Sequence, residues 1–485
     1  MINWRQVFKL IGILLFIEAG QLLLTMLVAL FYHEDAMPYI WTILISLVLG
    51  GSGVVAGANA GKSMSRRDGY LVVSLVWLVF TLIGMVPFLL TDCVPDAASA
   101  FFETMSGFTT TGATILTDVD VMPKDLLIWR SMMQWIGGMG IIVLSLAVLP
   151  FLGVGGMQLY IAEVPGPTKD KLSPRIMQTA QLLYGTYLAI TLSEVLVFYL
   201  CGMNSFDAIC HSLTTISTGG FSTKNAGINF WDSRALEYAV CFYMFLSGVS
   251  FTATYRLLKG NLGIIRQNEE LHTYFYVTIA VTIIVTVVRF ISCGLPEGET
   301  LSDGFRIGLF ETIALTSGTG YVIQDISLWH PFFVAVLLLC MISGACAGSA
   351  CGGLKIVRIM ILAKNSWLEF KRMLHPMAII PVRLNGKVVK ENIVTNILAF
   401  VVLYVAICVF SILVFMAHGN DFYESTGMAI TCLSNCGPGV GTHTGGVFAD
   451  QTPFIKWYMT TLMLAGRLEI FTFLFILTPT FWKRN

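Results

Sequence analysis

The chain has 485 residues, of which 56% are apolar and 12% charged, about half the charged fraction usual in soluble domains. That composition excludes an ordinary soluble globule and defines a polytopic membrane protein. The 29 basic and 29 acidic residues cancel, so net charge points to no nucleic-acid partner. The eleven cysteines lie mostly in apolar spans without a C-x-x-C pair and imply neither disulfides nor zinc.

About 20 apolar residues cross a bilayer as a helix. In chain order the candidates are 9–31, 38–60, 70–91, 126–150, 176–201, 235–258, 273–293, 331–363, 392–417 and 455–480. The first has no small-residue cleavage site behind it and reads as a retained helix. It forms an extra hairpin with the second. The other eight pair off around four polar, glycine-bearing runs: Thr109-Thr110-Thr111-Gly112, Thr215-Ile216-Ser217-Thr218-Gly219-Gly220, Thr316-Ser317-Gly318-Thr319-Gly320 and Ser434-Asn435-Cys436-Gly437-Pro438-Gly439.

These runs recur roughly every hundred residues, which marks an internal repeat. Each follows a segment of about a dozen residues that begins near an acid: Glu103; Asp207; Asp303 with Glu311; Asp421 with Glu424. A span, a half-length helix, a glycine-rich turn and a second span, repeated four times, let one chain surround a pore. Backbone carbonyls presented in a ring replace a cation's hydration shell, and the preceding half-helix aims its negative end at the same point. Non-helical backbone survives at membrane depth only when buried or facing water. The competing reading of any single run is small-residue helix packing, and a broken-helix transporter is the rival for the set, although such folds usually repeat twice.

Most lysines and arginines fall on one side of the spans, from Arg5 and Lys9 through the eight between Lys355 and Lys390 to Lys483 and Arg484. Positive-inside bias makes that side cytoplasmic, with both termini there. The acids gather opposite, where an acidic mouth concentrates cations. The eighth span is too long and holds Gly344-Ala345-Cys346-Ala347-Gly348-Ser349-Ala350-Cys351-Gly352-Gly353 before Lys355. The expectation is helix to about 343, an unwound loop, and helix again from about 354, with the loop acting as a gate. Arg467 lies midway along the last span, where a buried cation needs a partner or a watery cavity. It reads as a donor holding the gate, with a local pair to Glu469 as the alternative. Ala56–Ser63 fits a relaxed phosphate-loop pattern but closes a span and follows no strand. Gly352-Gly353-Leu354-Lys355 lacks the Gly-Lys pair, and His211 and His443 read as structural.

The four runs in order, with the break at 344–353 between the third and the fourth and Arg467 after the fourth, resemble the Trk/Ktr/HKT superfamily of potassium transporters over essentially the whole chain, most closely its TrkH membrane-subunit branch. The resemblance implies an all-α membrane protein with four pseudo-symmetric helix–pore-helix–helix units around one central pore, plus the hairpin. The divisions are hairpin 1–67 and units 68–160, 161–262, 263–372 with gating loop 344–353, and 373–485. It also implies potassium as the transported ion, no organic cofactor, no enzymatic activity, a homodimer, and a TrkA-type cytoplasmic nucleotide-binding ring docked on basic loops such as 364–390. The expected place is the bacterial inner membrane. The potassium filter would be Thr110, Thr111, Gly112, Thr218, Gly219, Gly220, Thr319, Gly320, Asn435, Cys436, Gly437 and Gly439, with Gly219 or Gly220, and Gly437 or Gly439, as the lining glycine. The gate would be Gly344, Gly348, Gly352, Gly353, Lys355 and Arg467. Alternatives are the channel-like subunit of an ATP-driven potassium pump and a proton- or sodium-coupled symporter.

Overall fold

A computed structural model describes residues 2–60, 65–140, 176–261, 263–293, 300–324 and 329–483. It is helical apart from a two-residue-per-strand hairpin pairing Arg383–Leu384 with Lys387–Val388. The N-terminal hairpin is α1 (Trp4–Phe31) and α2 (Met37–Ala56). The first unit holds α3 (Arg66–Gly84), α4 (Val86–Leu90), α5 (Ala97–Phe108) and α6 (Lys124–Gly138). The second holds α7 (Ile176–Leu200), α8 (Ser205–Ile216), α9 (Arg234–Gly248) and α10 (Phe251–Leu258). The third holds α11 (Glu269–Cys293), α12 (Leu301–Thr316), α13 (Pro331–Ser343) and α14 (Ile356–Leu374). The fourth holds α15 (Glu391–Ala417), α16 (Phe422–Ser434), α17 (Pro453–Arg467) and α18 (Ile470–Leu477).

Among the described residues six helices are long and apolar enough to span a membrane, and two bent pairs pass the same test jointly. Their outward faces stay apolar: on α15, Leu398, Val402, Phe410 and Leu413 are each more than half exposed, as lipid contact demands. Residues 141–150 of the expected span 126–150, residues 61–63 of the phosphate-loop-like stretch and the basic residues Lys169, Lys171 and Arg175 lie outside the described residues.

Two spans expected to be continuous are not. The chain turns by 111° between α9 and α10 and by 114° between α17 and α18. The breaks fall at Val249–Ser250 and at Leu468–Glu469, where Glu469 adopts φ 57. Neither carries a glycine cluster comparable to 344–353. At the first break the freed backbone groups find partners in another unit: Cys346 N–H donates to Gly248 O at 3.0 Å and Phe251 N–H to Gly348 O at 3.0 Å. The eighth span breaks as expected, with helix ending at Ser343 and resuming at Ile356. Segment 364–374, read as loop, is the continuation of α14.

The half-helices α5, α8, α12 and α16 have 12, 12, 16 and 13 residues. At 1.5 Å per residue they reach roughly 18–24 Å and cannot cross a core of about 30 Å. Each starts on a side-chain cap: Asp96 accepts from Ser99 N–H, Asn204 from Asp207, Thr300 from Asp303 in a capping box, and Asp421 from Glu424. The acid opening the first half-helix is therefore Asp96. Glu103 and Glu311, expected near helix starts, sit deep within theirs and serve the following loop instead.

Candidate pore site

Each half-helix ends by putting one residue into the left-handed region: Thr110 (φ 55), Thr218 (φ 55), Gly318 (φ 77) and Asn435 (φ 50). Backbone bonds close the ends, Thr111 N–H to Ser106 O at 2.9 Å, Gly219 to Thr214 at 2.8 Å, Gly320 to Ala314 at 2.9 Å and Cys436 to Thr431 at 3.1 Å, as at an ordinary helix C-cap. A β-branched threonine in this conformation is strained. Its presence in two of the four loops shows that the surroundings dictate the backbone. Two residues later Gly112, Gly220 and Gly320 return to positive φ, at 84°, 78° and 76°. This pattern selects Gly220 over Gly219 as the counterpart of Gly112.

The four loops close on one another. A methyl group built on Gly112 would fall on the carbonyl oxygen of Gly219, and one on Gly220 would fall on that of Thr319. At Gly320 it would meet Pro438 Cδ at 2.6 Å and Gly437 N at 3.0 Å, and at Gly437 it would meet Gly112 C at 2.8 Å. Loop one thus touches two, two touches three, three touches four and four returns to one. Thr110, Thr111, Thr218, Gly219, Thr319, Asn435 and Cys436 all belong to these four turns. Gly439 packs against His443 and stands apart from the inter-loop contacts, so Gly437 is the fourth loop's ring glycine.

Side chains tie the ring from behind. Asn435 Nδ2 donates to Thr111 Oγ1 at 3.0 Å and to Met463 O at 2.9 Å; Tyr321 Oη lies 2.6 Å from Thr214 Oγ1; Gln134 brackets the second loop. The carboxylate of Glu103 accepts from Ile115 N–H and Thr114 Oγ1, and Glu311 accepts from Ile323 N–H. Both acids stand nine residues before their ring glycine. Arg130 pairs with Glu103 at 2.8 Å with both side chains buried, and its Nη1 reaches Ser222 O at 3.2 Å. Arg130 and Gln134 had no role in the sequence reading. A cation inside the expected span 126–150 was the available signal for the first; nothing distinguished the second.

Removing one partner of a buried ion pair strands the other charge. Glu103→Leu is expected to destabilise the protein by about 3–5 kcal/mol, and adding Arg130→Met to recover part of that loss. Thermal unfolding of the detergent-solubilised variants checks this. Equal losses in the single and double variants would mean that the pair is not an energetic unit.

On one side the ring opens into a cavity of about 830 Å³, lined by Gly112, Gly220 and Gly320 and by the segments that follow them. Its lining is mixed in charge, with Asp421 and Glu424 alongside Lys224 and Arg130, and Glu424 already accepts from Thr442 Oγ1 at 2.6 Å. The expected acidic mouth thus carries a lysine as well, with Lys224 3.9 Å from Asp120.

Segment 344–355 packs against residues preceding the ring glycines, on the face away from that cavity. Gly318 lies against Cys351 Sγ and Gly352 against Ser434 and Asn435. The bonds to Gly248 and Phe251 add the second unit. Gly344, Gly348 and Gly353 have positive φ, and Lys355 does too, at 61°. Lys355 is buried and turns its amine onto Ser349 O, at 3.4 Å, and Cys351 O. Arg467 stands at the C-terminal end of α17, not midway along a continuous helix. It donates to Ala350 O at 2.7 Å, to Gly138 O at 3.2 Å and to Gly137 O. The loop therefore touches units two, three and four, and Arg467 links it to the first. Glu469 pairs with Arg358 at 2.6 Å, so the local alternative for Glu469 does not hold.

Half-helices too short to cross a bilayer, closed by four touching turns, define a class: polytopic all-α membrane proteins in which one chain supplies all four turns of a ring. A family profile described as a cation transport protein, TrkH, matches residues 39–480, and the chain belongs to that family. The Trk system potassium uptake protein TrkH of Salmonella typhimurium is 37% identical, with 99% of this chain and 100% of that protein covered. The Escherichia coli Trk system potassium uptake protein TrkG is 34% identical, with 99% of each covered. The crystal structure of the potassium transporter TrkH from Vibrio parahaemolyticus superposes with a TM-score of 0.89 at 32% identity, covering 99% of this chain and 100% of that one.

Proposed function

We propose that this chain is the ion-conducting membrane subunit of a potassium uptake system, a passive pore whose four-loop ring is the selectivity filter. The observation that carries the reading is ring closure, each turn meeting the next through its glycine. Carbonyls of the residues around Gly112, Gly220, Gly320 and Gly437 replace the hydration shell of a dehydrated cation. The half-helix ends behind them add partial negative charge. Potassium as the ion rests on the relatives, which are potassium uptake proteins. Segment 344–355 with Arg467 and Lys355 is the gate, and the four units follow the divisions 68–160, 161–262, 263–372 and 373–485. Both termini face the cytoplasm of a bacterial cell, and the assembly is a homodimer carrying a nucleotide-binding ring.

Purified protein in liposomes tests this. Rubidium should flow down its gradient without ATP or a coupling ion, faster than sodium or lithium. A strict requirement for ATP with a partner ATPase would favour the pump subunit, and a requirement for a proton or sodium gradient the symporter.

The cytoplasmic ring docks through the basic end of α14. Arg372 is occupied there, donating to Ile380 O, Asn365 and Glu369, so reversing it would disturb the turn itself. Lys371 is exposed and gives the cleaner test. Lys371→Glu should weaken capture of an acidic cytoplasmic partner several-fold, most at low salt. Capture that is unchanged across a salt series would rule out this docking face.

A further inference from the structure

The four carbonyls immediately before the ring glycines belong to Thr111, Gly219, Thr319 and Cys436. Those of Gly219 and Thr319 are placed alike, each against the ring glycine of the preceding loop. They differ in one respect. Gln134 Nε2 donates to Gly219 O at 2.8 Å, and among the described residues no side chain donates to the other three. The same amide accepts from Phe221 N–H through Oε1 at 3.1 Å, which fixes its orientation, since a flip would set oxygen against oxygen. Gln134 is fully buried.

The amide has no counterpart in the other units. Gln134 stands eleven residues after Pro123, the residue that precedes α6. Counting eleven from Ser233, His330 and Thr452, which precede α9, α13 and α17, gives Met244, Met341 and Met463. All three methionines are buried, and a thioether donates no hydrogen bond.

The preference of a carbonyl ring among cations depends on how many carbonyls coordinate and on their field strength. An N–H dipole held against one oxygen takes up part of its negative potential. We propose that Gln134 is a specificity-determining positioning residue: by engaging the second unit's carbonyl it takes that oxygen partly out of the coordinating set, and a smaller set disfavours the larger ion, which lowers the pore's discrimination between potassium and sodium. The proposal rests on the filter reading above.

Gln134→Met gives the first unit the residue of the other three and frees the oxygen. In liposomes it should raise the rubidium-to-sodium flux ratio roughly two- to tenfold, the span of a hydrogen bond of ordinary net strength. A residue that only braced the loop would, on removal, loosen it and lower the ratio. An unchanged or lower ratio therefore overturns the proposal. Gln134→Leu is the second variant should Gln134→Met not reach the membrane; failure of both to fold would make the amide a structural brace and overturn it equally. Gly320→Ser in the same assay separates the two levels: if it too leaves the ratio untouched, the filter reading has failed, and if it alone shifts the ratio, only the role of Gln134 has.

Discussion

Gly320→Ser and Gly112→Ser should each lower the rubidium-to-sodium flux ratio by roughly tenfold or abolish conduction. Two costs add at these sites. An L-residue held in the left-handed region loses about 1–2 kcal/mol, and the new Cβ has no room. At Gly112 it falls on Gly219 O, and at Gly320 it lies 2.6 Å from Pro438 Cδ, itself part of a rigid ring. The neighbouring loop must move, and its carbonyl moves with it. About 1.4 kcal/mol of differential ion binding is a factor of ten, so the strain and overlap exceed what the preference can absorb. Flux of rubidium, sodium and lithium through folded variants decides the matter. Wild-type preference in both would mean that the ring does not select.

The second large effect belongs to the loop and Arg467. An unwound segment leaves carbonyls without helical partners, each costing on the order of several kcal/mol at membrane depth. Arg467 relieves Ala350 in the loop together with Gly137 and Gly138 at the end of α6, where unpaired carbonyls and the helix dipole both attract a cation. Arg467→Ala removes the brace and the charge at once. Basal flux without a regulator should rise about tenfold or more, because losing one charged hydrogen bond costs about 1.5–3 kcal/mol. Deleting several residues within 345–352 should do the same, and the combination should be less than additive, since both disable one element. Lys355→Met tests the loop from within by removing the amine that folds it onto Ser349 and Cys351. If all three leave basal flux at or below wild type in folded protein, the segment is packing and the gate lies elsewhere.

The four runs, the break after Ser343 and Arg467 were legible in the sequence because each departs from an apolar background in composition. The bends at Val249 and Leu468 were not, because no glycine cluster marks either one and, at the first, the freed backbone groups are satisfied about a hundred residues away, as Gly248 is by Cys346. Choosing between Gly219 and Gly220 required a backbone angle. Choosing between Gly437 and Gly439 required knowing which touches Gly112. Gln134 looked like an ordinary polar residue on a helix with neighbours of mixed character. Its meaning lies in a loop 85 residues away in the chain. Glu103 and Glu311 stand out as acids in the sequence, but their place within the helices rather than at the starts shows only in the structure, where Asp96 and Thr300 supply the caps.

The fourth turn departs from the others: Asn435 supplies its left-handed residue, and Gly437 does not return to positive φ as Gly112, Gly220 and Gly320 do. A ring assembled from identical subunits could not hold such a turn, because any change would appear at every corner at once. Here one codon alters one corner. Ligand number and strength can be titrated a quarter at a time, so that a substitution lethal in fourfold dose survives as a graded change, and the four corners are free to diverge in mutational history.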